Sequence, residues 1–168
     1  MKKYGILWAG LLIVNSITAQ APFTSTVDAN KIVILNGVVS KTDLLENPAF
    51  SWYGQNQKGY TPAASVLESM TAAKDKFQFL IFGGTWCEDT QSILPKFFRL
   101  QELSGVQEKN ISFFAVDRHK QTLGNMSNTF NILNVPTIIV LKDGKEVGRV
   151  IEYGKTGKWD QEVADLLK

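Results

Sequence analysis

The twelve residues Phe79-Leu80-Ile81-Phe82-Gly83-Gly84-Thr85-Trp86-Cys87-Glu88-Asp89-Thr90 constrain this chain more than any other stretch. Phe77–Phe82 is a short continuous apolar run, the pattern of a strand buried on both faces. The two glycines break it. From Cys87 onward, Ile93, Leu94, Phe97, Phe98 and Leu100 recur as one broad apolar face of a helix, and Pro95 inside that pattern predicts a kink. A buried strand thus runs through a glycine turn into a helix, with the only cysteine of the chain at the junction.

The flanking residues extend the pattern. Lys31–Ser40 is rich in Val and Ile and reads as a strand, while residues 20–30 are polar and read as loosely ordered. Residues 41–60 hold Asn47-Pro48, Trp52, Tyr53 and Tyr60 and read as irregular, with room for a short helix at 42–46. Thr61-Pro62 has the form of a helix start with threonine as N-cap, and Val66, Leu67, Met70 and Ala73 carry helical spacing through to Lys76. Ile111–Val116 reads as a second buried strand and Asn125–Ile132 as a short helix. Thr137–Leu141 and Glu146–Ile151 flank Lys142-Asp143-Gly144-Lys145, a hairpin signal. Trp159, Val163, Leu166 and Leu167 define a terminal helix. Strands separated by helices imply parallel neighbours, and the closing hairpin adds an antiparallel edge. The expected fold is α/β: a mixed central sheet with helices on both faces.

Lys2 and Lys3 precede an apolar run, Tyr4 to Val14, that is too short to span a bilayer comfortably. Asn15–Gln20 is more polar, and Ala19 is a small residue suited to cleavage. That order reads as a secretory signal over residues 1–19, with an uncleaved anchor as the alternative. It leaves an extension with a strand at 20–60 and a principal domain at 61–168. The Met-Lys-Lys start has a bacterial look, which would place the mature protein in a periplasm. One cysteine allows no disulfide within the chain, so the core alone must hold it. One Cys and one His make no zinc pattern, and neither a metal nor a cofactor is implied. A net charge of +2 without a dense Lys/Arg run gives no nucleic-acid surface.

A thiol at a helix N-terminus meets unpaired N–H groups and the positive end of the helix dipole, and both favour the nucleophilic thiolate. The competing reading is a buried, inert cysteine. Here the chain resembles the thioredoxin superfamily. Trp86-Cys87 matches the start of that family's active-site motif, and Pro95, eight residues on, matches its helix-kinking proline. Val135-Pro136-Thr137 matches its cis-proline loop, and Thr137–Leu141, the Lys142–Lys145 turn and Gly154 match its closing hairpin. The resemblance covers residues 62–168 and implies the thioredoxin fold, with catalysis at Cys87 and Thr90. It also implies substrate binding by Trp86, Val135, Pro136 and Thr137, with backbone hydrogen bonds offered to an extended peptide by a cis Pro136.

The departures from the family matter as much. Thr90 stands where the resolving cysteine would be, Ile81 where the buried aspartate would be, and Phe113 where some members carry a lysine. The Thr90 hydroxyl would either donate to the thiolate or bond a carbonyl of the preceding turn. Glu88 and Asp89 complement the helix dipole but, as near negative charges, oppose the thiolate. Arg118 or His119 would supply positive potential if their loop leaves the same sheet edge; otherwise they belong to a solvated basic loop. The expected function is monothiol exchange: Cys87 forms a mixed disulfide with a protein or small-molecule partner, and an external thiol resolves it. A binding module using the groove around Trp86, Cys87 and Pro136 without turnover is the alternative. A structural domain with a vestigial Cys87 is a third.

Overall fold

A computed structural model describes residues 21–168, so the signal segment expected at 1–19 lies outside the described residues. The centre of the molecule is β3 (Phe77–Gly83). Its side chains alternate between two cores. Phe77, Phe79 and Ile81 face the larger one, whereas Leu80 and Phe82 face the smaller. Burial on both faces is what made this strand read as an unbroken apolar run.

β4 (Ile111–Ala115) lies parallel to β3, with Ile81 opposite Phe113. β5 (Thr137–Lys142) lies antiparallel on the other side and is followed by β6 (Lys145–Ile151). β1 (Phe23–Val27) and β2 (Val33–Val38) complete a six-stranded sheet of order β1-β2-β4-β3-β5-β6.

The larger core is roofed by α2 (Trp52–Lys58), α3 (Ala64–Ala73), α4 (Glu88–Ser104) and α6 (Trp159–Asp165), which contribute Tyr53, Met70, Phe97 and Trp159. α1 (Lys41–Glu46) adds Leu44. The opposite face is covered by the short α5 (Met126–Thr129) and its following loop, through Met126, Phe130, Ile132 and Val135. Phe82 and Phe114 stack there at 5.0 Å. This is the mixed sheet with helices on both faces that the sequence led us to expect.

Four local expectations need correction. Within residues 20–30, which were expected to be loosely ordered, the described part forms a strand: β1 pairs with β2 from Phe23↔Gly37 to Val27↔Val33. Apart from Phe23 its side chains are exposed, so it carries no apolar alternation, and its backbone ladder alone defines it. Residues 41–60 are largely helical. Ser40 and Asp43 form a reciprocal capping box on α1, and a 3-10 turn at Pro48–Phe50 leads into α2. Gly54 and Asn56 lower the helical preference of α2, but packing of Tyr53 against Phe98 stabilises it. Thr61 is not an N-cap, because Ala63 supplies the first helical carbonyl, to Val66 and Leu67. The helix expected at 125–132 shrinks to α5. Pro95 is buried within the continuous span of α4.

Candidate functional site

Cys87 is the N-cap of α4, with φ −93° and ψ 122°, and its side chain makes no capping bond. The half-buried Sγ instead donates to the Val135 carbonyl at 3.4 Å. The backbone around it is fixed by bonds from Cys87 N–H to the Gly84 carbonyl and from Gln91 N–H to the Cys87 carbonyl, both 2.9 Å. The sheet register explains why Cys87 and Val135 meet. β3 and β5 run antiparallel, with Phe82 opposite Thr137, so the end of β3 and the beginning of β5 share one sheet edge.

The Val135–Pro136 peptide bond is cis. Glu152 N–H donates to the Pro136 carbonyl at 2.7 Å, and Thr137 Oγ1 donates to the Asn134 carbonyl at the same distance. Pro136 has no amide hydrogen, and one lone pair of its carbonyl takes the Glu152 N–H. Val135, with its carbonyl on the thiol, is the residue of this loop that touches the site.

Thr90 makes a contact beyond its expected roles as a donor. It is 0% exposed, and its Oγ1 accepts the Gly84 N–H at 3.2 Å. The Gly83–Gly84 turn folds back over the first turn of α4 and brings that amide to the hydroxyl. The approach requires glycine: a Cβ on Gly83 would fall 2.6 Å from Thr90 Cγ2, and one on Gly84 would fall 2.5 Å from Trp86 Cε2. Thr90 thus holds the turn that presents Cys87. Ile81 and Phe113 are both buried and paired in register, so packed hydrocarbon fills the two positions at which the resemblance would have implied an aspartate and, in some members, a lysine. Glu88 is exposed and Asp89 half-buried in the first turn of α4, where both complement the dipole.

Trp86 is half-buried, with Nε1 donating to the Val116 carbonyl at 3.0 Å. The Arg118 guanidinium lies over its ring, 5.2 Å from the centroid. The Arg118 hydrogen bonds go to Asp28 and not to the thiol. Arg118 Nε and Nη2 both donate to Asp28 Oδ2, at 3.1 and 2.5 Å. His119 is exposed, in a turn whose amides bond Asp117 Oδ1. The Asp28 carboxyl is held below the ordinary carboxylate range, first by the Ile32 amide, then by Arg118.

Several residues that build the site gave no sequence signal. Thr85 Oγ1 donates to the Val33 carbonyl at 2.9 Å and accepts the Leu35 N–H at 3.2 Å, which staples the loop before Cys87 to β2. Gln91 Nε2 donates to the Thr85 carbonyl, and Asn56 Nδ2 on α2 donates to the Gln91 carbonyl. Asn36 on β2 bonds both Gln121 and Leu123 in the loop after β4. Apart from Gln91 and Thr85, which are 6 residues apart, the partners lie 35 to 87 residues apart, so no local pattern could have shown them. Among the described residues, no group of His, Cys, Asp and Glu is arranged to hold a metal ion, and no helix is long and apolar enough to cross a membrane.

The fold and the site together define a class: an α/β domain that presents a thiol at the N-cap of a helix, against the proline loop of the neighbouring strand. The thioredoxin family profile matches residues 63–165, and the chain belongs to that family. It is 33% identical over 105 residues to the TPR repeat-containing thioredoxin TDX of Arabidopsis thaliana, covering 61% of this chain and 26% of that protein. It is 28% identical over 90 residues to the thioredoxin-like protein R548 of Acanthamoeba polyphaga mimivirus, covering 52% of this chain and 63% of that one. The chain thus spans less than two thirds of either relative. A solved structure of a thioredoxin from Nicotiana alata aligns over 60% of this chain and 78% of its own, at 24% identity and a TM-score of 0.40. β1, β2, α1 and α2 all lie before the profile match.

Proposed function

We propose that this protein carries out thiol–disulfide exchange through a single thiol. The observation that carries the reading is the half-buried Cys87 Sγ at the N-cap of α4, uncapped by its own helix and bonded only to the Val135 carbonyl. In the first step, the Cys87 thiolate attacks one sulfur of a disulfide. A Cys87–S–S bond forms and the old S–S bond breaks, and the departing sulfur leaves as a thiolate that takes a proton from solvent. An external thiol then attacks the mixed disulfide, so that Cys87 leaves as thiolate and the partner leaves as a new disulfide. Thr90 resolves nothing in this scheme; it holds the Gly83–Gly84 turn. Unpaired amides of the first helical turn and the dipole support the anion, while the Val135 carbonyl holds the proton of the neutral thiol.

Brief treatment of the folded protein with iodoacetamide at neutral pH is expected to label Cys87. Incubation with a peptide disulfide is expected to give one adduct on Cys87, released by added thiol; mass spectrometry reads both. Labelling that requires denaturant would remove the basis of the proposal. The buried hydrocarbon of Ile81 and Phe113, which offers no titratable group, favours one rival, in which the groove at Trp86, Cys87 and Pro136 holds a peptide without turnover. Peptide binding that survives Cys87→Ala, with no adduct on the native protein, would decide for that rival.

We further propose export to a periplasm, on the strength of Lys2, Lys3 and the Tyr4–Val14 run. The mature chain is expected to begin near Gln20 or Ala21, as read by N-terminal sequencing of the native protein. An intact Met1 on a cytoplasmic species would contradict export.

A further inference from the structure

The N-terminal hairpin reaches the site through one unbroken chain of contacts. Asp28 sits in the turn between β1 and β2. Its Oδ1 accepts the amides of Asn30 and Ile32, each at 2.9 Å, which fixes the carboxylate to the backbone. The other oxygen, Oδ2, takes both Nε and Nη2 of Arg118. Arg118 lies over the Trp86 ring, and the edge of that ring is tied by Nε1 to Val116, two residues before Arg118. Gly84 packs close to the Nε1 side of the indole, where a Cβ would fall 2.5 Å from Cε2. Trp86 is therefore held by the Val116 bond, by Gly84 and by Arg118 over its ring, and Cys87 is the next residue.

Each contact depends on the one before it. An arginine side chain at 43% exposure has many rotamers, and a guanidinium over a half-buried indole is weakly held by itself. Asp28, 17% exposed and clamped by two amides, is the fixed point that selects the rotamer laid across Trp86. A guanidinium stacks because it is planar, and an ammonium cannot replace that geometry. The hairpin lies outside the profile match, so this is a feature of this chain's own extension.

We propose that Asp28 is a positioning residue of the Cys87 site: through Arg118 it fixes the Trp86 face against which a protein disulfide lies while exchanging with Cys87. The proposal rests on the exchange reading of Cys87. A partner large enough to touch Trp86 senses the clamp, whereas a small reagent that meets only the sulfur does not.

The test uses the full chain and three variants: Asp28→Asn, Arg118→Gln and Arg118→Lys. Asparagine keeps an acceptor for the turn amides and removes the ion pair. Exchange with a peptide disulfide is expected to slow roughly fivefold in both Asp28→Asn and Arg118→Gln, with iodoacetamide alkylation of Cys87 unchanged. The double variant is expected to be no slower than either single one, because both break the same contact. Arg118→Lys is expected to rescue little. A pure charge effect gives a different pattern, since removing the negative Asp28 and the positive Arg118 would move the rate in opposite directions.

The indole N–H resonance of Trp86, assigned with Trp86→Phe, supplies a readout independent of exchange and is expected to shift in both variants. Opposite rate changes, parallel slowing of alkylation, or an unmoved indole resonance would each overturn the proposal. If the native protein forms no mixed disulfide but the resonance shifts, the exchange reading fails while the clamp on Trp86 stands.

Discussion

Thr90→Cys is expected to turn this one-thiol site into a two-thiol one. Cys87 is the N-cap and Thr90 the third residue of α4, so the two side chains leave the helix one turn apart. Cysteines so placed have Cβ atoms roughly 4 Å apart, within disulfide reach. Thr90 is also buried against the Gly83–Gly84 turn, which keeps a new thiol beside Cys87 rather than in solvent. An oxidant such as glutathione disulfide should then take two electrons and two protons from the pair and close an internal bond. With dithiothreitol as electron source, the variant should reduce insulin, whereas the native protein should show almost no activity. The gain should be partial, because Ile81 and Phe113 offer the proton no titratable group. The variant also loses the acceptor for Gly84 N–H, at a cost of about 1–3 kcal/mol in its reduced form. Adding Cys87→Ala should abolish the activity. Thiol counting and insulin turbidity decide the matter. A folded variant that stays fully reduced under oxidant would separate Cys87 from position 90 and undo the site assignment.

The second large effect is on stability. Phe97 is wholly buried, with its ring 5.4 Å from Phe79 on β3, 6.3 Å from Phe98 and 6.4 Å from Trp159 on α6. It joins the central strand, α4 and the terminal helix in one cluster. The neighbours belong to different elements, each fixed by its own backbone bonds, so the space left by truncation cannot close fully. Phe97→Ala should therefore destabilise by about 3–5 kcal/mol, the range for buried aromatics. For a domain of this size that corresponds to a fall in Tm of roughly 10 °C. Leu133→Ala, at a side chain 78% exposed, should stay within about 0.5 kcal/mol. Chemical denaturation of both variants reads the difference. A loss below about 1 kcal/mol at Phe97 would mean that the core does not converge on that ring.

The parts of this protein that were legible in its sequence are those with a strong local signature. The buried strand at Phe77–Phe82 showed itself because both of its faces are covered, and the helix after Cys87 because its apolar face repeats. The Asp143-Gly144 hairpin showed itself through residues that tolerate positive φ, here 52° and 73°. β1 was missed for the opposite reason. Phe23 is half-buried, but the Thr-Ser-Thr-Val that follows lies exposed on an edge strand, and nothing in those side chains requires a strand. α2 was missed because Gly54 and Asn56 weaken its helical preference, and the packing of Tyr53 on Phe98 and the Asn56 bond to the Gln91 carbonyl hold it against α4.

The same division runs through the site. Sequence by itself determined the chemistry available: one thiol, a threonine in place of a second, and hydrocarbon at Ile81 and Phe113. Those are properties of residue identity and short spacing, which a chain carries before it folds. Tertiary structure alone decided what each group does with its neighbours. It sent the Thr90 hydroxyl to Gly84, the Cys87 proton to Val135, and Arg118 to Asp28 and Trp86 rather than to the thiol. A hydrogen bond closes over about 3 Å, whatever the number of residues between its partners. Asp28 and Arg118 are 90 residues apart, and only the antiparallel placement of β2 beside β4 carries the hairpin turn to the loop that bears Arg118.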